Sequence, residues 1–168
     1  MLAGPWIITG IFVYQSFISE TKLWSSFAIP KAFMVYSLTS IFSLVLSGIL
    51  VDKFTSRKLI PIINIPLLLS MITLYSIQNE FSAYIFLGLI GISNGLANVL
   101  GSSTWAEIYG VKYIGSIKAL TTALMVFSTA FGTALFGVLI DIGFSIEDIA
   151  IVSGTYIFGS IILLYLVK

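Results

Sequence analysis

Gly48-Ile49-Leu50-Val51-Asp52-Lys53-Phe54-Thr55-Ser56-Arg57-Lys58 lies between two long apolar runs and gathers four charges into seven residues. The whole chain has only eight basic and seven acidic residues, so this is a concentration of charge. A near-copy of the first half returns 89 residues later as Gly137-Val138-Leu139-Ile140-Asp141. The first copy runs into lysines and arginine. The second runs into Gly143 and then the acids Glu147 and Asp148. One signature followed by opposite charge is the pattern expected of two repeats inserted in opposite directions in a membrane.

Composition sets the solvent. Of 168 residues, 58% are apolar and 9% charged, with mean hydropathy +1.10. A soluble domain carries about 25% charged residues, so this chain cannot cover a water-facing surface and its solvent is lipid. There is no cysteine and no histidine, which removes disulfides, thiolate chemistry and the commonest metal ligand and general base. A net charge of +1 points away from a nucleic-acid partner. The opening residues carry no basic lead and no cleavage-site pattern, so a cleavable signal peptide is not expected.

A spanning helix needs about 20 mostly apolar residues. Six segments fit, at about 5–18, 29–51, 59–77, 83–105, 114–140 and 149–167. The first is short and must extend at one end. Pro30 suits a first turn, and Pro66 predicts a kink in the third segment. The loops between are short, so consecutive helices should be antiparallel neighbours. The expectation is one all-α domain over 1–168, with repeat one about 1–78 and repeat two about 79–168. Lysine and arginine set the orientation. With the 52–58 loop in the cytoplasm, Lys53, Arg57, Lys58, Lys112, Lys118 and Lys168 lie inside and only Lys22 and Lys31 outside. Both termini are then cytoplasmic.

These residues resemble the major facilitator superfamily. The segment from Gly48 to Lys58 is similar to its loop signature between the second and third helices of each six-helix half. Trp105-Ala106-Glu107-Ile108-Tyr109-Gly110 through Gly115 to Asp141 resembles its tenth-to-eleventh helix region. Thr55 and Ser56 stand where that signature has glycine and arginine. The resemblance implies helices seven to twelve of a twelve-helix secondary transporter, a symporter or uniporter. It would be a multi-pass protein of the bacterial inner (plasma) membrane that moves a small polar or organic-anion solute by alternating access. It also implies a missing partner, either an N-terminal six-helix half or a second copy. The bare start at Met1-Leu2-Ala3-Gly4-Pro5 favours a truncated chain or a gene break.

Asp52 ends its helix, where a carboxylate is unfavourable against the helix dipole. It therefore calls for a partner, which could be Lys53, Arg57 or the N-terminus of another helix. The resemblance implies the last, on the opposite half, as a latch built from Gly48, Asp52, Lys53, Arg57 and Lys58. Gly137 and Asp141 are the outer counterpart. A plain positive-inside anchor is the bland alternative. Within the spans, Asn94 and Asn98 share a helix face, and Tyr14, Gln15 and Tyr36 are the other polar candidates at membrane depth. They are either substrate hydrogen-bond partners or interhelical hydrogen bonds. Gly88, Gly91 and Gly95 point to close helix packing.

No acid or base lies near the middle of any span, which points away from a proton relay or a charged channel ring. Without histidine, neither a Ser–His intramembrane protease nor a zinc protease is possible. No enzymatic activity, cofactor or metal is expected. The remaining alternative is a non-transporting membrane subunit, in contact with lipid either way.

Overall fold

A computed structural model describes residues 3–166. Among the described residues the chain is helical, with no strand. The helices are α1 (Ala3–Val13), α2 (Gln15–Thr21), α3 (Ala28–Lys53), the short α4 (Ser56–Leu59), α5 (Asn64–Ser76), α6 (Phe81–Tyr109), α7 (Ile114–Asp141) and α8 (Ile146–Leu166). A 3-10 segment, Ile60–Ile63, joins α4 to α5.

Five helical stretches are long and apolar enough to cross a membrane: Ala28–Lys53, Ser56–Ser76, Phe81–Tyr109, Ile114–Asp141 and Ile146–Leu166. They match five of the six expected segments. The first segment differs, because α1 has only 11 residues and the helix is interrupted at Tyr14. Hydrogen bonds still bridge the interruption, from Tyr14 N–H to the Gly10 carbonyl and from Ile18 N–H to the Tyr14 carbonyl. The distortion expected at Pro66 lies one turn upstream. Pro66 has no N–H to offer the Ile62 carbonyl, and Ile62 sits in the 3-10 segment.

Turn chemistry sets the ends. Gly143, at φ 89°, ends α7. Its N–H bonds the Ile140 carbonyl, and Phe144 N–H bonds the Leu139 carbonyl, the paired bonds of a Schellman stop. The same pair closes α2, from Leu23 to Glu20 and from Trp24 to Ser19. There the left-handed position falls on Leu23, at φ 54°, the one non-glycine among the described residues with positive φ. Ser145 and Asp148 exchange side-chain-to-backbone bonds at the start of α8, a capping box.

Packing is pairwise. α3 lies along α6, α1 lies on α7, and α5 contacts both α6 and α8. Ile7, Ile11, Leu67, Leu74, Ile90 and Ile149 belong to the central core. α3 buries only Ala28, Ile29, Ala32, Ser43 and Ser47, and α7 only Ser128, Gly132 and Phe136. Phe33, Tyr36, Leu135 and Leu139 are half-buried against the core, and much of the rest of both helices faces outward with side chains such as Leu38, Phe42 and Phe127, the reverse of a water-facing surface. The helices are those of a membrane-embedded protein.

Glycines set the two closest crossings. A Cβ on Gly95 would meet the Ser40 carbonyl and, at 2.8 Å, Ser43 Cβ; one on Gly91 would meet the Tyr36 carbonyl. A Cβ on Gly132 would strike the Trp6 backbone. With no side chain at these points, helix axes approach until backbone meets backbone.

Candidate functional site

Three polar clusters stand out, one at mid-depth and one at each end of the helices. The mid-depth cluster lies where α3 crosses α6. Asn94 Nδ2 donates to Tyr36 Oη at 3.0 Å, and Asn98 Nδ2 donates to the Asn94 carbonyl at 2.9 Å. Asn94 and Tyr36 are half-buried and Asn98 is exposed. The Tyr36 ring is fixed by Phe12 of α1 at 5.4 Å and Phe33 at 6.0 Å. Thr39 Oγ1 lies 3.0 Å from the Gly88 carbonyl across the same crossing. Tyr36, Asn94 and Asn98 are therefore brought together.

Tyr14 and Gln15 sit elsewhere, at the interruption between α1 and α2. The Tyr14 hydroxyl fills the space that a Cβ on Gly137 would take, at 2.6 Å. Its ring stacks on Phe136 at 6.4 Å. Gln15 is half-buried at the start of α2.

At the end carrying the 52–58 loop, Glu107 organises the turn. Its carboxylate accepts Ser56 N–H at 2.8 Å and Arg57 N–H at 3.4 Å, the free N–H groups of the helical stretch opening at Ser56. Thr104 Oγ1 and the Ser56 hydroxyl, both buried, lie 3.1 Å apart beneath it. Asp52, Lys53, Arg57 and Lys58 are all exposed. Among the described residues Asp52 pairs with neither Lys53 nor Arg57, two of the partners that its position called for. Gly48 has open space around its α-carbon, and Asp141 is exposed.

At the opposite end, Lys22 is the centre. Its side chain is 0% exposed, and Nζ donates to Glu147 Oε1 at 2.8 Å. Gln78 Nε2 donates to the same oxygen at 3.1 Å. Trp24 Nε1 donates to the Gln78 carbonyl at 3.2 Å, and Ser25 Oγ to Glu80 Oε1 at 2.9 Å. Three interhelical connections are thus tied together. The outward-turned Leu23 lies beside the inward-turned Lys22, so the strained turn and the buried ammonium belong to one device.

Sequence reasoning missed the roles of Glu107, Lys22, Glu147 and Gln78. The available signal was asymmetry: Lys22 is a lone base near an excess of acids, and Glu107 an acid in a basic neighbourhood. Also unforeseen were the Asn64 Nδ2 to Ser160 Oγ bond, 2.9 Å, which joins α5 to α8, and the buried, unpartnered Ser153 hydroxyl.

Compared with known proteins, the chain matches no family model, no curated protein and no solved structure.

Proposed function

We propose that this chain is the C-terminal six-helix half of a major-facilitator-type secondary transporter, moving a small polar or organic-anion solute by alternating access. It acts as a carrier and not as an enzyme. The observation that carries this reading is a repeat in the packing. The Asp52 and Asp141 signatures are 89 residues apart. So are Ser43 and Gly132, and so are Trp6 and Gly95. Gly95 closes on Ser43 at one crossing, and Gly132 closes on Trp6 at the other. One offset therefore relates both loops and both crossings, as inverted three-helix repeats require.

Pairing agrees with it. If α1 with α2 counts as the first span, spans one and five pack together, as do spans four and two, and span three packs on span six. Exchanging the repeats maps these three pairs onto themselves, while span three also packs on span four and the exchanged pair, span six on span one, touches only slightly. In this reading Tyr36, Asn94 and Asn98 lie on the wall of a solute path, with Tyr14 and Gln15 further along the first span.

A second reading, a non-transporting membrane subunit, draws on one observation. Asn94 Nδ2 already donates to Tyr36 Oη across the two helices, as interhelical packing bonds do.

Two measurements test the proposal. Single cysteines at Thr55 and Ser145, in a chain with none of its own, should label with an impermeant maleimide from opposite membrane faces, because three spans separate them. Labelling from one face sinks the six-span arrangement. Purified protein should then be screened by thermal shift against neutral sugars, amino acids and dicarboxylates. A stabilising compound whose effect disappears in Asn98→Ala supports a solute site, and no response across the panel favours the subunit reading.

A further inference from the structure

α6 carries a polar stripe that packing covers only in part. Among the described residues of α6 between Phe86 and Ala106, Asn98 alone is exposed. Asn94, Asn98 and Ser102 follow at four-residue steps, and Trp105 and Tyr109 continue the line. At 3.6 residues per turn these five fall within about 80° and run about 22 Å, from mid-depth to the end of the helix. The Trp105 and Tyr109 rings stack there at 5.9 Å. The far side of α6 differs. Ile85, Leu89 and Ile92 line an apolar groove against α3, a surface suited to lipid.

The Asn98 amide has a fixed orientation. Its Nδ2 donates to the Asn94 carbonyl, an oxygen that can only accept. Oδ1 is therefore the free end of an exposed side chain, and no donor reaches it among the described residues. An amide oxygen left in hydrocarbon would have no donor at all, so the stripe does not face lipid. Ser102 Oγ lies 3.4 Å from the Asn98 carbonyl and keeps its own lone pairs. The outward set is thus an amide oxygen and a hydroxyl oxygen that accept, with a second amide N–H that donates. A solute hydroxyl, which both donates and accepts, completes it. α6 has no lysine or arginine. Its one acid, Glu107, lies at least about 140° around the helix from the stripe and is used to cap Ser56 and Arg57. An anion desolvated on this wall would have no counter-charge.

We propose that Asn98, Ser102 and Trp105 form a subsite for an uncharged solute with several hydroxyl groups, a polyol or a sugar, and not for an organic anion. Asn94 and Tyr36 stand behind it and hold the Asn98 amide in place. Asn98 and Trp105 are about 10 Å apart along the helix, enough for one small polyol. The two side chains Asn98 and Ser102 bond its hydroxyls, and the Trp105 ring offers an apolar face to its C–H bonds. This narrows the solute class and rests on the solute-path reading proposed above.

The test uses the whole chain in detergent micelles, with mannitol, glucose and succinate as probes. Trp105 is the reporter, since Trp6 and Trp24 are buried in the core. Mannitol or glucose should change the fluorescence saturably, and Trp105→Phe should abolish the change. Asn98→Leu should weaken binding by about tenfold. Ser102→Ala, which leaves the Asn98 to Asn94 bond intact, should weaken it by about threefold. A polyol response that survives both variants lies elsewhere and overturns the subsite. A saturable response to succinate, alone or alongside a polyol, overturns the uncharged class and leaves the solute path standing. No response to any probe also overturns the subsite, and Asn98→Cys in open membranes then shows whether the path falls with it. Labelling by a water-soluble maleimide keeps an aqueous path along α6. Protection from that reagent removes both the subsite and the path.

Discussion

Replacing Glu147 with glutamine leaves the Lys22 ammonium buried without its counter-charge. Lys22 is fully shielded, whereas the Glu147 side chain is 28% exposed. Removing one partner of a fully buried pair costs about 3–5 kcal/mol. Water at the exposed side of Glu147 softens this, so the expected loss is about 2–3 kcal/mol. Lys22→Met is milder, about 1 kcal/mol, because the carboxylate keeps water and the Gln78 amide. The double variant should cost about 1 kcal/mol, giving a coupling energy of about 2–3 kcal/mol. Denaturant unfolding in detergent micelles, followed by tryptophan fluorescence, reads all three values, with Trp24 beside the cluster as reporter. A Glu147→Gln loss below about 0.5 kcal/mol, or strict additivity in the double variant, would refute the buried-pair argument.

Four further outcomes are expected. Gly95→Val should destabilise by about 3 kcal/mol or more, because the added carbons meet the Ser40 carbonyl and the Leu44 N–H, which cannot move aside. Gly159→Ala has open space and should gain about 0.5–1 kcal/mol, so the same unfolding assay separates crowding from helix propensity. Leu23→Gly should stabilise by about 1 kcal/mol, since the left-handed backbone costs leucine and not glycine; a loss of stability would mean that the turn is not strained. Glu107→Gln should cost about 0.5–1 kcal/mol by weakening the cap on Ser56 and Arg57, and hydrogen exchange at those two amides should rise.

The positions of the long apolar helices were legible because each records a local choice of solvent. The 28 residues of α7 read as a span however they pack. The glycine pair Gly91 and Gly95 was legible as a close-packing signal for the same reason, since a missing side chain is a local fact. The Asn94 and Asn98 face followed from helical spacing. The interruption at Tyr14 was not legible, because no proline or glycine marks it; the residue sits against Phe136 and Gly137 of a helix more than a hundred residues away. The Asp52 latch was the natural motif to follow, yet the acid that caps a helix at that end is Glu107. Proximity in sequence favoured Asp52, and only the return of α6 to the 52–58 loop puts Glu107 within reach.

By itself the sequence determined the solvent, the placement of the long apolar helices and the 89-residue echo between two loops, since each depends on residue type and spacing along one dimension. The tertiary structure alone decided which polar groups are paired. Lys22 and Glu147 are 125 residues apart, and Glu107 reaches Ser56 across 51. Such pairs form only when apolar helices have packed and carried their ends together, and the order in which helices pack is written in three-dimensional contact, not in any single stretch of chain.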